Sequence, residues 1–123
     1  MGKYSDKYVD SFVLPVQTKN LDAYRKHAEE GGKIWLEHGA LEYVECVADD
    51  VKPGKVTSFP QSVNLEADET VVLVWVVYDS REHRDTVMEK VTKDPRFANM
   101  DPSSFPVDGK RMFFGGFKVL VDF

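Results

Sequence analysis

The amino-acid sequence predicts a single α+β domain with the ferredoxin-like order β-α-β-β-α-β, in which a four-stranded antiparallel sheet carries two helices on one face. Four segments rich in β-branched and aromatic residues alternate with two segments of helical spacing in that order. The chain has 123 residues, the length of one ordinary domain, so residues 1–123 are expected to share one core. Hydrophobic residues make up 42% and charged residues 30%, a balance typical of globular rather than disordered chains.

The first half of the chain predicts a strand, a helix and a second strand. Residues 8–16, YVDSFVLPV, are largely β-branched or aromatic, and Pro15 is expected at the end of this strand or on an edge. From residue 19 or 20 to His38, apolar residues recur at helical intervals, and the Gly31-Gly32 pair among them indicates a bend or close packing on a strand. Residues 40–48, ALEYVECVA, alternate as a second strand does.

The second half predicts a strand, a helix and a final strand. Residues 71–78, VVLVWVVY, have the composition of a central strand that is covered on both faces. Ser80 is a good helix N-cap, and the second helix is expected to end at Asp94-Pro95. A short helical turn is predicted at residues 102–105, before a last strand over residues 111–121.

Three of the predicted strands are apolar on both faces. In the first strand, Phe12 and Leu14 alternate with Val13, and residues 71–78 and 111–117 show the same double pattern. Two helices can cover only one face of the sheet, and an apolar patch of that size is rarely exposed on a monomer. The sequence therefore predicts a homodimer in which the uncovered sheet faces of two copies pack together.

Several stretches of the chain resemble a known family. They are YVDSFVLPV (8–16), LEYVECVADDVKPGKVTSF (41–59), VWVVYDSREHRD (74–85), DPR (94–96) and above all FPVDGKRMFFGGF (105–117). These stretches resemble the YbaA-like family of small bacterial proteins, a family of unknown function. The resemblance implies the dimeric α+β barrel fold but no activity, because that fold also hosts cofactor-free oxygenases, haem-degrading enzymes, lactone isomerases and ligand-binding regulators.

Composition and charge disfavour several classes of partner. Sixteen basic against twenty-one acidic side chains give a net charge of −5, which repels the phosphate backbone of nucleic acids. The longest apolar run, residues 71–78, is far shorter than the roughly 20 residues that span a bilayer. Residues 1–10 lack the apolar core of a secretion signal, and Cys46 is the only cysteine, so no internal disulfide can form. A cytoplasmic protein without nucleic-acid or membrane partners is expected.

Charged residues lie among the apolar positions of the predicted strands and of the second helix. Asp10 and Glu45 each share a strand face with apolar neighbours, and a buried carboxylate must be paired or protonated. Arg84 lies three and four residues before Val87 and Met88, which places its guanidinium on the helix face toward the sheet. We hypothesise a cleft between sheet and helices with these three charged groups at its floor. They form either an ion pair at the core rim or the polar anchor of a ligand pocket.

Histidine and aromatic residues are further candidates. Either His27 or His38 alone could serve as a base or a haem ligand, or both could be ordinary residues in solvent or at the edge of the core. The two lie eleven residues apart, too far along one helix to share a metal ion, so neither a metal nor a cofactor is assigned. Tyr24, Trp35 and Trp75 are candidate ligand-binding residues, with a role in the core or an interface as the alternative.

Three functional interpretations remain open. The chain carries no sequence motif of the common hydrolases, zinc enzymes or nicotinamide enzymes. The cleft could bind a small apolar or aromatic molecule. It could belong to a cofactor-independent oxygenase or isomerase, in which Asp10, Glu45 or a histidine moves a proton. The protein could also be a structural or regulatory dimer without catalysis.

Overall fold

The computed structural model describes residues 2–99 and 107–123. Within these ranges the chain forms the elements β1 (Tyr8–Gln17), α1 (Leu21–Glu37), β2 (Glu42–Val47), α2 (Phe59–Ser62), β3 (Glu69–Tyr78), α3 (Arg81–Lys93), α4 (Pro95–Ala98) and β4 (Phe113–Lys118). A 3₁₀ turn at Thr18–Asn20 leads into α1. The helical turn expected at residues 102–105 lies outside the described residues.

The four strands pair into one antiparallel sheet in the order β2-β3-β1-β4. β1 and β3 form its centre and pair along their whole length, from Tyr8 opposite Tyr78 to Gln17 opposite Glu69. The helices α1 and α3 both pack on one face of this sheet. This arrangement confirms the predicted ferredoxin-like α+β architecture and the central position of the apolar strand β3.

The main core fills the space between the sheet and the two long helices. Two strands and two helices contribute its buried side chains, among them Leu14 and Val16 of β1, Val72, Val74, Val76 and Tyr78 of β3, Ile34 and Trp35 of α1, and Val87 and Val91 of α3. Burying side chains of this size away from water stabilises the fold by roughly 1.5–3 kcal/mol each. Because side chains alternate along a strand, Asp10 points to the same helix-covered side as Leu14.

The opposite face of the sheet is covered at one end. Val63, which directly follows α2, is buried there against Val13 and Val71. The sequence of residues 55–69 is ambiguous, because a single helical turn is too short to show a period.

Val77, toward the other end of this face, is only 3% exposed, so within the described residues the uncovered part lies at the middle of the face and along β4. Trp75 lies there, opposite Ser11 of β1 and Val44 of β2. Phe113 and Phe117 of β4 point the same way and are 46% and 60% exposed. We call this surface, formed by Trp75, Val44, Phe113 and Phe117, the open face.

The helix α1 runs unbroken through its two central glycines. A Cβ atom on Gly32 would lie 3.0 Å from a ring carbon of Tyr43 on β2. The missing side chain therefore allows the helix backbone to approach the strand closely. Of the two explanations that the Gly31-Gly32 pair allowed, close packing is the one that the structure bears out.

The ends of α3 also follow their sequence signals. The Ser80 hydroxyl accepts a hydrogen bond from the backbone N–H of His83 at 3.0 Å, as expected of an N-cap. The helix ends at Lys93, directly before Asp94-Pro95. Asp94 in turn caps α4, because its carboxylate accepts the backbone N–H of Arg96 at 2.9 Å.

Pro15 lies inside β1 and not at its end, so of the two positions expected from sequence, a strand end or an edge, the structure supports the edge. Thr18 donates its N–H to Asp68 at 2.9 Å, and hydrogen-bonded pairs alternate along an antiparallel ladder. Pro15 and Val71 therefore form a non-hydrogen-bonded pair in the ladder between β1 and β3. The missing N–H faces the other side, where the pairing with β4 ends at Val13.

Candidate functional site

A cavity of about 640 Å³ opens between the sheet and the helices. Side chains from all four strands form its floor, and side chains from α1, α3 and α4 form its walls. Its volume lies within the range of roughly 300–1,000 Å³ that is typical of small-molecule sites. The cavity occupies the space in which the sequence predicted a cleft.

Small residues on α1 leave this space unfilled. Tyr24, Ala28, Gly31 and Trp35 all line the cavity, and their spacing of four, three and four residues puts them on one helix face. Two aromatic side chains thus flank two of the smallest residues. Ala28 and Gly31 therefore leave a space between α1 and the sheet that larger side chains would fill.

Most of the remaining wall is apolar. It is formed by Phe12, Leu14, Val74, Met88, Phe97, Met112 and Phe114. The rings of Phe12 and Phe114 are stacked with their centroids 5.5 Å apart, and those of Trp35 and Phe97 meet edge to face at 5.7 Å. Such walls favour a ligand whose own surface is apolar, because both surfaces then leave water.

The first polar group of the cavity is an ion pair between Asp10 of β1 and Arg84 of α3. Arg84 Nη1 donates to Asp10 Oδ1 at 2.6 Å. Burial raises the pKa of the Asp10 carboxyl, against the opposing effects of Arg84 and of the Tyr78 hydroxyl. Arg84 Nε also donates to Asp85 at 2.8 Å, and its guanidinium lies over the ring of Tyr8. Of the three charged groups expected on the cleft floor, Arg84 and Asp10 are the two that pair.

The second polar group is Glu45 of β2, which two tyrosine hydroxyls hold in place. Tyr43 donates to Glu45 Oε2 at 2.6 Å, and Tyr24 donates to Oε1. Burial and the nearby Glu45 raise the pKa of both hydroxyls, which therefore remain protonated donors at neutral pH. Among the described residues, no lysine or arginine forms an ion pair with Glu45.

These two polar groups stand at separate places on the cavity floor. Asp10 pairs with Val76, and Glu45 pairs with Val74, on opposite sides of β3. Strands about 4.8 Å apart and a rise of about 3.4 Å per residue place the two Cα atoms roughly 12 Å from each other. One molecule in the cavity can therefore meet a charged group at each end.

Six of the residues singled out from sequence line this cavity: Asp10, Glu45, Arg84, Tyr24, Trp35 and His27. The structure places the other two outside it, which corrects their assignment to this site. Trp75 lies on the open face, because odd-numbered residues of β3 point away from the helices. His38 follows α1 and bonds to Asp94 instead, with Nε2 and Oδ2 2.8 Å apart.

Sequence reasoning missed two features of the site. Tyr43 donates to Glu45, and its position two residues earlier on the same strand face was a signal that could have revealed this contact. Phe97 gave no such signal. It reaches the cavity only because the short helix α4 folds back so that Phe97 meets Trp35.

Two further observations concern the described ranges 2–99 and 107–123. No three side chains of His, Cys, Asp or Glu in them come together as a metal ion would require. No helix there has both the length and the apolar composition needed to cross a bilayer.

The sequence matches a family model over most of its length. The model of the family described as "Protein of unknown function (DUF1428)" covers residues 7–109. The chain belongs to this family. A relative from Escherichia coli K12, described as "Uncharacterized protein YbaA", is 46% identical over 116 residues, which are 94% of this chain and 98% of the relative. The resemblance stated from sequence is thereby confirmed.

Solved structures share the fold of this member of the family. A dimeric ferredoxin-like protein from an uncultured marine organism superposes with a TM-score of 0.57 at 12% identity, covering 96% of this chain and 91% of that one. A variant of SnoaB, a cofactor-independent oxygenase from Streptomyces nogalater, superposes with a TM-score of 0.56 at 8% identity, covering 93% of each chain. At such low identities these likenesses establish the fold alone.

Proposed function

We propose that this protein binds a small, largely apolar or aromatic molecule in the cavity between sheet and helices. The observation that carries the proposal is a space of about 640 Å³ with apolar walls and two separate polar groups on its floor. Ligand sites combine such walls with a few placed polar groups, which fix the ligand's orientation. A region that serves only as core leaves no space of this size, because protein interiors are packed about as densely as organic crystals.

The apolar walls would supply most of the binding free energy. Burying about 200 Å² of ligand surface at roughly 25 cal/mol per Å² gives about 5 kcal/mol before the cost of lost motion. We therefore expect dissociation constants of roughly 0.2 mM or weaker for simple aromatic probes. The polar groups would add orientation and selectivity.

We also propose that two copies pair through the open face. Phe113 and Phe117 are 46% and 60% exposed, and Leu120 and Phe123, which follow β4, are 94% and 104% exposed. Apolar surface of this extent is unusual on a monomer. A solved structure with this fold is described as dimeric, which supports a dimer here as well. Pairing there would leave the cavity accessible, because the cavity lies on the other side of the sheet.

Proton transfer on the bound molecule is the second candidate function. Asp10 is a buried carboxylate in the cavity wall, and its raised pKa brings it closer to the pH at which a general base works best. In an isomerisation it would take a proton from one carbon of the ligand and return it to another, so no further reactant is needed. Incorporation of solvent deuterium into the ligand would support this role. Unchanged incorporation by Asp10→Asn would exclude Asp10 as the base.

The fluorescence of N-phenyl-1-naphthylamine, a neutral probe that brightens in apolar surroundings, tests binding to the cavity. We expect a saturable increase with the unaltered protein. Ala28→Phe places a ring inside the cavity and should abolish the increase. Ala23→Phe is the matched control, because Ala23 lies on the exposed side of the same helix. Equal signals from all three folded proteins would contradict the proposal, since the probe would then bind elsewhere.

A further inference from the structure

We infer that the ligand of this cavity carries a positive charge, and that a protonated amine on an apolar or aromatic body would pair with Glu45. This inference rests on the proposed function, because it names the class of molecule that the same cavity would take. The volume and the aromatic walls define the site, and the distribution of charge around it selects the ligand.

The charged groups in the described lining are mostly acidic. Asp10, Glu45, Asp85 and Glu89 carry four carboxylates, against the guanidinium of Arg84 and the imidazole of His27. That guanidinium is already bonded to Asp10 and Asp85, at 2.6 and 2.8 Å. An anionic ligand would therefore meet a lining with more carboxylates than basic groups, and would be repelled.

Glu45 offers a cation an acceptor that is already held in place. A carboxylate has about four lone-pair sites, and the hydroxyls of Tyr24 and Tyr43 use one on each oxygen. The remaining sites have no lysine or arginine partner among the described residues, whereas those of Asp10 face Arg84. The fixed carboxylate would lose little rotamer freedom on binding an ammonium group.

Aromatic rings beside Glu45 add a second attraction for a cation. The rings of Trp35 and Tyr43 lie with their centroids 5.9 Å apart, and the ring of Tyr24 lines the same part of the cavity. Ring faces attract ammonium groups through their quadrupole, and cages of aromatic rings are a known way of binding organic cations. A carboxylate that two tyrosines hold, in a cavity that Trp35 also lines, favours an amine over an alcohol of the same shape.

The amine would stand at one end of the cavity and its apolar body at the other. Glu45 lies on the β2 side of the cavity floor, and Phe12 and the ion pair of Asp10 and Arg84 lie on its β1 side. With roughly 12 Å between the Cα atoms of the two acidic residues, the space suits an amine joined to one or two rings.

Three probes of one shape test the inference on the unaltered chain. These are 2-naphthylmethylamine, which is cationic at pH 7.5, the neutral 2-naphthalenemethanol, and the anionic 2-naphthoic acid. Isothermal titration calorimetry should show the amine binding roughly tenfold more tightly than the alcohol, and the acid not binding measurably. Equal affinity for amine and alcohol would overturn this inference but leave the proposed function intact. Failure of all three probes would overturn both.

Two matched variants assign the preference to Glu45. Glu45→Gln keeps the size of the side chain and removes its charge, so the amine should lose its tenfold advantage while the alcohol binds as before. Glu42→Gln is the control, since Glu42 lies on the same strand but bonds to Lys3 and Tyr4 outside the cavity. A preference that survives Glu45→Gln would contradict the assignment. The ranking of probes on the unaltered protein decides the charge preference even if that variant fails to fold.

Discussion

Replacing Arg84 by leucine should destabilise the protein strongly, because it leaves the Asp10 carboxylate buried without its partner. The side chains of Arg84 and Asp10 are 21% and 7% exposed, and they meet at 2.6 Å. Removing one partner from a buried pair costs about 3–5 kcal/mol, and we expect the lower end because Arg84 is partly solvated. A loss of about 3 kcal/mol is a large part of the 5–15 kcal/mol that stabilises a typical domain. It would lower the melting temperature by roughly 10 °C.

The loss of stability caused by Arg84→Leu should be smaller at acidic pH. Burial raises the pKa of Asp10 in the folded protein above its value in the unfolded chain. At pH values between these two pKa values, the folded state therefore binds more protons than the unfolded state. The stability contributed by this group is therefore present at low pH and is lost as the pH rises through the raised pKa. Without Arg84 the pKa rises further. Urea denaturation of Arg84→Leu should accordingly show a smaller loss at pH 5 than at pH 7.5.

A double variant and a surface control complete the test. Asp10→Asn combined with Arg84→Leu removes both charges and should recover most of the lost stability. Arg81→Leu changes an exposed arginine in the same helix turn and should alter stability by no more than about 0.5 kcal/mol. The reasoning fails if Arg84→Leu costs no more than Arg81→Leu, if its cost is the same at both pH values, or if Asp10→Asn gives no recovery.

Two further pairs of variants compare neighbouring positions. Gly31→Ala and Gly32→Ala gain the same helix propensity, but only the second puts a Cβ 3.0 Å from the ring of Tyr43. In urea denaturation, Gly32→Ala should therefore be less stable than Gly31→Ala by roughly 1–2 kcal/mol. Equal stabilities of the two variants would contradict the close packing of α1 on β2. Phe117→Asp places a charge on the open face and should give a monomer in light scattering, whereas Phe114→Asp, on the cavity side of the same strand, should remain a dimer. A dimer that survives Phe117→Asp would refute pairing through the open face.

The strands and the first polar group could be predicted from local patterns. Alternation along residues 8–16 placed Asp10 on an apolar face, and helical spacing placed Arg84 toward the sheet. Both patterns depend only on neighbours within one element. The contact that they imply, Arg84 Nη1 to Asp10 Oδ1 at 2.6 Å, follows once α3 packs on the sheet.

Local sequence patterns could not identify the strand face on which Trp75 lies or the bond between Tyr24 and Glu45, because both depend on contacts between elements. Residues 71–78 are apolar throughout, so no polar neighbour marks which face of the strand Trp75 takes. The pairing with Ser11 and Val44 decides it, and that register belongs to the sheet as a whole. The bond from Tyr24 to Glu45 joins a helix and a strand, and its geometry depends on how closely Gly32 lets the two approach.

The most direct test of the central claim uses the two tryptophans, one on each side of the sheet. Trp35 lines the cavity and donates its indole N–H to Tyr78 at 3.2 Å, while Trp75 lies on the open face. In a ¹H–¹⁵N correlation spectrum each indole N–H gives its own peak, which Trp35→Phe and Trp75→Phe would assign. On titration with 2-naphthylmethylamine, the Trp35 peak should move in a saturable way and the Trp75 peak should stay. Movement of the Trp75 peak alone, or of neither peak, would contradict a ligand site in the cavity.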